Sequence, residues 1–496
     1  MKEKRIKNQK SQVSIYILFY AFLSLFILSG SLLWIYSYLN FLNREINSFQ
    51  ALNIAESGIE YYRWFLNHFQ EDYQDGTGRA GPYKYDFYDR VGNKIGEFSL
   101  NIRQSVQGVR TAEIISEGKL VDNPNIKKTI KVIVSIPSVA KYSVITDSDI
   151  RFGSGTVVYG EIHSNRGIRF DGVAHNLIKS SLITYQDPDH SGCREWAVHT
   201  HVNPVDPCPE DNPNPDNLPL RSDVFKAGRK VGVQTVDFIG ITSNLSNLKN
   251  LSQNGGFYRG FSGDNRFGYE IILGEDNFQL YQVDSLISPS SNCSICESRN
   301  NQWRCSSSNS RYGLSTWSVR GKTFLGNFSY PSNGVIFIED NLWISGRIRN
   351  KRLTIASARF PENPNTQTNI IINNDLLYTN YDGTDIIGLI AQKDINIGLI
   401  SEDDLKIDAV LIAQNGRVGR YYYSSGCRSG YLREKISVYG GITSRLRYGF
   451  AWVSGDVRVS GYNIRELIYD SNLLYLPPPY FPLSSEFYKT IKWIEL

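Results

Sequence analysis

Methionine is almost missing from these 496 residues, with one in all, and so is any surplus of charge. The 53 Lys and Arg are offset by 49 Asp and Glu to a formal net charge of +4, so no overall field selects nucleic acid as a partner. No P-loop, G-x-S-x-G or H-E-x-x-H pattern occurs, which excludes the commonest nucleotide-binding loop, the hydrolase elbow and the zincin helix. Long uncharged runs are also scarce, with one exception: residues 11–43 carry no charge at all.

That exception is a transmembrane helix by length and composition. Ile15 to Leu39 reads IYILFYAFLSLFILSGSLLWIYSYL, enough at about 1.5 Å per residue to cross a hydrocarbon core of about 30 Å. Tyr16 and Tyr20 lie near one end and Trp34, Tyr36 and Tyr38 near the other, where amphipathic rings favour the headgroups. The run is longer than a secretory h-region and no small-residue cleavage site follows it, so an anchor is expected rather than a cleaved signal. Lys2, Lys4, Arg5, Lys7 and Lys10, opposed only by Glu3, resist translocation and place the N-terminus in the cytoplasm. The expected localisation is therefore the cell membrane, single-pass, with the C-terminal domain extracytoplasmic and the lipid bilayer as first partner.

What the chain does have points to β-structure. Tyr (31) and Phe (24) are plentiful, and most of the 41 glycines fall where short strands alternate with tight turns. The six cysteines, Cys193, Cys208, Cys293, Cys296, Cys305 and Cys427, suit an oxidising compartment. The favoured pairing joins Cys193 to Cys208 and two of Cys293, Cys296 and Cys305 to each other, leaving the third for Cys427. A lesser alternative is zinc, because Cys193 and Cys208 lie among His190, His199 and His201, although the spacing matches no standard finger.

Six segments follow along the chain: a cytoplasmic basic segment (1–14), the transmembrane helix (15–39), a stalk helix (40–72), a small antiparallel sheet (83–137), a β-solenoid (138–476) with a loop-rich insertion (185–330), and a C-terminal cap (477–496). In the stalk, Phe49, Leu52, Ala55, Ile59, Tyr62, Leu66 and Phe69 recur at steps of three and four, one stripe of a helix. Alternation in residues 94–102 and 128–134 reads as half-buried antiparallel strands. Beyond Pro137, Leu389-Ile390-Ala391-Gln392 returns as Leu411-Ile412-Ala413-Gln414, a 22-residue echo expected of one solenoid coil. A second echo, residues 158–164 with 438–444, predicts two coils of the same solenoid near its opposite ends. The prolines at 477–479 and 482 are expected to keep the tail out of any ladder, as a cap. The fold class is mainly β: an N-terminal membrane and stalk helix, a small α+β collar, and a right-handed parallel β-helix.

Residues 51–61, ALNIAESGIEY, shortly after a single N-terminal membrane helix, resemble the A-x-x-x-A-E-(A/S)-G-(I/L)-E stalk of PilX-type minor pilin-like proteins of bacteria. Ala55, Glu56, Gly58 and Glu60 carry the motif, and the likeness covers roughly the first 70 residues. The resemblance implies a subunit held in the membrane, packing into a type IV pilus or related filament and displaying the domain that follows. One departure matters. Precursors in that family carry Gly and then an apolar residue at the cytoplasmic edge, with Glu five residues into the mature helix, whereas residues 10–14 are KSQVS and the membrane run has no Glu.

For chemistry, Asp147, Asp149, Glu161, His163 and Asp171 gather around the first coil and Glu402, Asp403 and Asp404 follow a later strand, without diagnostic spacing. Alternation points His163 outward to solvent. Arg166, Arg169, Arg417 and Arg420 offer a basic stripe for anionic glycans, and Tyr421, Tyr422 and Tyr423 a stacking surface. No catalytic, cofactor-binding or metal-binding residue is assigned, no cofactor is expected, and the chain is read as a non-enzyme. The expected function is a membrane-anchored, pilin-like structural or adhesive surface protein, an accessory or tip component, with pilin-like subunits, surface glycans or other cells as partners. The alternative from another class is an anchored carbohydrate lyase or hydrolase, which needs acids from adjacent coils in one groove.

Overall fold

The computed structural model describes residues 3–104, 106–238, 240–299, 302–427, 429–454 and 457–496, with side chains from residue 13 onward except in 240–243. It is mainly β, with one long N-terminal helix and large sheets. The chain divides into two compact units. One holds residues 1–104, 112–134 and 490–496, the other 105–111 and 135–489.

The first unit begins with helix α1 (Glu3–His68). Every large apolar side chain from Val13 to Phe41 is at least 41% exposed, and the mean hydropathy of the span reaches 2.1, so α1 is a candidate membrane anchor by length and composition. Four strands follow: β1 (Tyr83–Tyr88), β2 (Lys94–Gln104), β3 (Thr111–Leu120) and β4 (Lys127–Ser135). They neighbour one another in chain order, β1–β2 and β2–β3 antiparallel, and their inward residues Phe98, Leu100, Ile114, Ile130 and Val132 alternate as a one-sided sheet requires. The fifth strand corrects an expectation. Lys489–Glu495 joins beside β4, with the Leu496 amide donating to the Thr129 carbonyl at 2.9 Å and Lys128 pairing Glu495 at 2.7 Å. The prolines bar a ladder only where they stand, and the seven residues beyond them retain every N–H.

The buried stripe of α1 is also rotated from the predicted one. Ala51, Ile54, Ala55, Gly58, Ile59, Tyr62, Phe65 and Leu66 are buried, whereas Phe49 and Phe69 are 63% and 54% exposed. Steps of three and four are satisfied by both sets, and small residues decide between them, because they let the helix approach the sheet most closely. A Cβ on Gly118 would collide with the Ala51 carbonyl and the Ala55 amide, and one on Gly96 with Ile54 and the Lys119 carbonyl.

In the second unit most pairings of the largest sheet are parallel. One column runs Ile336, Ile355, Leu389, Leu411, Ile442, Val144, Ile162, Ile178, each opposite the next. The 22-residue echo is thus a direct pairing of Leu389 with Leu411. The stack does not follow chain order: Val144–Thr146 lies between Ile442–Ser444 and Ile162–Ser164. Residues 158–164 and 438–444, expected near opposite ends, are therefore close neighbours. The edge of Ile442–Ser444 is taken by Val144–Thr146, so neither of these two segments is left open there.

Successive residues alternate between two apolar layers. Ile336, Ile355, Leu389, Leu411 and Ile442 enter one, and Phe337, Ala356, Ile390, Ile412 and Ile145 the other, together with Phe481, Leu245 and Leu248. Turns are tied by a buried polar column. Asn369 donates its amide to Asn341 Oδ1 at 2.9 Å, the Asp394 amide donates to Asn369 Oδ1 at 3.3 Å, and the Arg417 amide donates to Asp394 Oδ1 at 2.8 Å. Each side chain supplies an acceptor for the next turn, so no N–H in this column is stranded.

Residues 185–330 are more ordered than a loop-rich insertion. They contain helix α2 (Gly240–Gln253), an antiparallel set Gly268–Leu273, Asn277–Leu286 and Val319–Ser329, and the strand Phe257–Arg259 that pairs in parallel with Ile336–Ile338. The Ser- and Asn-rich α2 sequence has weak intrinsic helicity; burial of Leu245 and Leu248 overrides it.

Candidate functional site

The stalk motif is explained by packing. Ala55 and Gly58 are buried against the sheet, where a Cβ on Gly58 would meet Ser116 and Phe98. Glu60 is turned outward and pairs with Arg63 one turn on, while Glu56 is half-buried. The small residues of the motif set the distance between helix and sheet, and its acids face away from it. Opposite the far end of the stripe, Asp75 is buried and accepts from Tyr61 at 3.3 Å and from Tyr85. Burial pushes both phenols above their ordinary range, so they stay protonated donors.

The residues singled out for chemistry do not form one groove. Glu161 pairs Lys179 at 2.7 Å, Asp149 accepts the Gly167 amide at 2.9 Å, Asp147 accepts from Asn165 at 2.8 Å, and Glu402 accepts the Asp375 amide at 3.3 Å. Asp403 takes the Lys435 and Glu434 amides on its carbonyl, and Asp404 pairs in register with Lys435. His163 is 2% exposed, contrary to the outward reading. Its parity was right, but it shares the column of Ile145 and Ile412, and Tyr142 stands 5.8 Å from its ring, so what alternation calls outside is covered. Burial lowers its basicity, and its Nε2 lies 3.1 Å from Asn165 Oδ1.

Arg417 and Arg420 of the expected basic stripe are interior, whereas Arg169 is half-buried and Arg166 exposed; the tyrosine platform is largely interior. Arg420 is fully buried and donates to the carbonyls of Gly398, Leu399 and Gly430; Arg417 is 8% exposed and lies over the rings of Tyr421 and Trp452. Tyr421 and Tyr423 are buried and Tyr422 half-buried, so they hold the core rather than a sugar. Arg169 pairs Asp171 at 2.8 Å, and the Arg166 amide donates to Ser164. Three disulfides close the region: Cys193–Cys208, Cys293–Cys427 and Cys296–Cys305.

One constellation does converge. Among the described residues, Asp187, Glu195, His199 and His201 place one donor atom each within 4.8 Å of the others. Their positions follow from a hairpin in which Thr184–Tyr185 pairs antiparallel with Glu195–Trp196, and from Val198–His199 pairing in parallel with Ile168–Arg169. Along Glu195-Trp196-Ala197-Val198-His199-Thr200-His201, Trp196 and Val198 enter the core, leaving Glu195, His199 and His201 at odd positions. Asp187 stands in the hairpin loop, where its Oδ1 accepts the Asp189 amide at 2.9 Å.

Within the cluster, His199 Nε2 is 2.7 Å from Glu195 Oε2 and 3.6 Å from Asp187 Oδ2, and His201 Nε2 is 2.7 Å from Glu195 Oε1. His190 Nδ1 approaches Glu195 Oε1 at 3.2 Å from the exposed rim. Burial pushes the Asp187 carboxyl up; the neighbouring His199, the Asp189 amide and Arg169 outweigh it and hold it at about 2, so the group is an anion. In the sequence His190, His199 and His201 lie among Cys193 and Cys208, but those two cysteines are bonded to each other and take no part in the cluster. Asp187 and Glu195 were missed; the E-W-A-V-H-T-H alternation was the signal available.

No family model matches the chain, and no curated protein matches it. Among solved structures it matches the competence-associated pilin ComZ from Thermus thermophilus, at 11% identity over 91% of this chain and 98% of that one, with a TM-score of 0.30. Overlap that low leaves the functional reading to the chain's own residues.

Proposed function

We propose that the chain is a pilin-like surface protein, anchored in the cell membrane by α1 with its basic N-terminal segment in the cytoplasm. It acts as an accessory or tip component of a type IV pilus-like system and presents a right-handed parallel β-helix outside the cell. The single observation carrying this is the change along α1 itself: residues 13–41 expose large apolar side chains on every face, and residues 51–66 bury a small-residue stripe against a sheet. A helix apolar all round needs lipid or other helices; a helix apolar on one side needs its own domain. The two stretches in tandem make a membrane-to-domain stalk.

The parallel columns support the β-helix, since each coil pairs its backbone with the next and right-handed crossovers dominate parallel connections. Three disulfides support an oxidising exterior. The absence of Glu from the membrane run removes the partner that a neighbouring amino terminus would need, which favours an accessory or tip position over repeated shaft subunits.

Protease shaving of intact cells, followed by mass spectrometry of the residual fragment and its copurifying proteins, tests the reading. Loss of residues beyond about 70 with a retained membrane fragment, and recovery of pilin subunits, is the expected result. A C-terminal domain protected in intact cells and cut only after lysis would reverse the orientation and end the proposal.

A further inference from the structure

We infer that Asp187, Glu195, His199 and His201 form a structural site for a divalent transition metal of the zinc type, which ties the hairpin loop at Asp187 to residues 195–201 of the disulfide-closed loop 193–208. The donor set alone would be only a polar cluster. What makes it a site is that Asp187 Oδ2, Glu195 Oε2 and His199 Nε2 are buried without a hydrogen bond of proper geometry, although His199 Nε2 stands 2.7 Å from Glu195 Oε2, on residues that are 3%, 7% and 1% exposed. His199 Nδ1 lies 3.2 Å from the Trp196 carbonyl, an acceptor only, so Nδ1 carries a proton, and in the neutral ring Nε2 then presents a lone pair to the two carboxylates. Facing one another in a dry pocket, these atoms need a positive centre between them, a proton on Nε2 or a metal ion in its place.

The spacing suits a small ion. Metal–ligand bonds of about 2.0–2.2 Å at tetrahedral angles separate donors by roughly 3.3 Å. The contacts of 2.7, 2.7 and 3.6 Å lie on either side of that value, the first two through different oxygens of Glu195, and one donor from each of the four residues falls within 4.8 Å of the others. Two imidazole nitrogens with two carboxylate oxygens favour zinc and its neighbours over calcium, which takes oxygen alone. Asp187 and Glu195 balance the ion's charge. Arg169, the nearest cation at 3.6 Å from Asp187 Oδ2, is already engaged with Asp171 at 2.8 Å. On binding, the contact between His201 Nε2 and Glu195 Oε1 gives way to bonds from both atoms to the metal, and the neutral ring takes the tautomer with its proton on Nδ1, the proton exchanging through solvent on the side of exposed His190. Four protein ligands leave no open position, which assigns the ion to structure rather than catalysis.

The test uses the full chain in detergent micelles, stripped with a chelator and titrated with Zn2+, Ca2+ or Co2+. One Zn2+ per chain by elemental analysis is expected, with a raised melting midpoint and at least tenfold preference over Ca2+. Bound Co2+ should show tetrahedral absorption without a thiolate charge-transfer band. His199→Ala and Glu195→Gln should each weaken Zn2+ at least tenfold, and His175→Ala, whose ring stacks on Tyr159 elsewhere, should leave it unchanged. A non-reduced peptide map showing Cys193–Cys208 intact certifies each variant's fold; a variant that fails it is replaced by His201→Asn under the same criterion. Absence of stoichiometric zinc, equal affinity for Ca2+, a thiolate band, or zinc binding indifferent to these substitutions overturns the site.

Discussion

The two stretches of α1 make an instructive pair, because they are one helix with two ways of being hydrophobic. Between Val13 and Phe41 bulky side chains point in all directions and none is covered by protein. Between Ala51 and Leu66 the apolar residues occupy one side, and the most deeply packed positions include the smallest, Ala51, Ala55 and Gly58. The first stretch is defined by what it offers a solvent, the second by how near it lets a sheet approach. Total hydrophobicity would rank the first as the better core, yet only the second is one.

The difference can be broken most severely at Gly118. Gly118→Leu drives a side chain into the Ala51 carbonyl and Ala55 backbone, which a flexible neighbour cannot yield, and should destabilise the collar by more than about 4 kcal/mol, read as loss of its thermal transition. Ile59→Ala, at a fully buried position of the stripe, should cost about 4 kcal/mol in denaturant unfolding. In the other stretch, Leu25→Arg should cost about 3 kcal/mol of insertion free energy, seen as extraction of the protein from membranes by carbonate, with the collar's unfolding unchanged. Phe49→Ala, on the stripe expected from periodicity but exposed, should move unfolding by less than about 0.5 kcal/mol; an effect as large as that of Ile59→Ala would restore the predicted stripe.

The smallest effect carries the same distinction into the stack, at His163, where an outward side chain is covered rather than bare. Burial holds the folded His163 below its ordinary value, so below about pH 6.5 the unfolded chain takes up the proton first. Its contribution is fully present at neutral pH and is lost as pH falls. His163→Gln should flatten the decline of the melting midpoint between pH 7 and 5 relative to the unmutated chain; an unaltered slope would mean that the ring is open to solvent.

Much was legible from residue order because it depends on neighbours along the chain. The uncharged run of residues 11–43 fits a membrane anchor whatever the rest does, and alternation predicts strands because side chains on a strand must take turns between faces. The Leu389 and Leu411 echo predicted its own pairing, since like side chains stack at one register. Periodicity could not choose between two overlapping stripes on α1, nor tell that the outward face of His163 is covered or that Arg417, Arg420 and Tyr423 are buried.

Those questions turn on what arrives from far away in sequence. Gly96 and Gly118 decide the helix face, Tyr142 and its surroundings cover His163, and Ile442–Ser444 pairs with Val144–Thr146 from much earlier in the chain because each leaves a ladder edge open. The cluster at Asp187, Glu195, His199 and His201 belongs to the same class. Alternation put three of its members at odd positions of one short segment, but only the hairpin that brings Asp187 back, and the burial that strips water from Asp187, Glu195 and His199, brought the donor atoms together. Local periodicity states where a side chain points; which surface it finds there is settled by closure of the fold, since burial is a property of two segments at once.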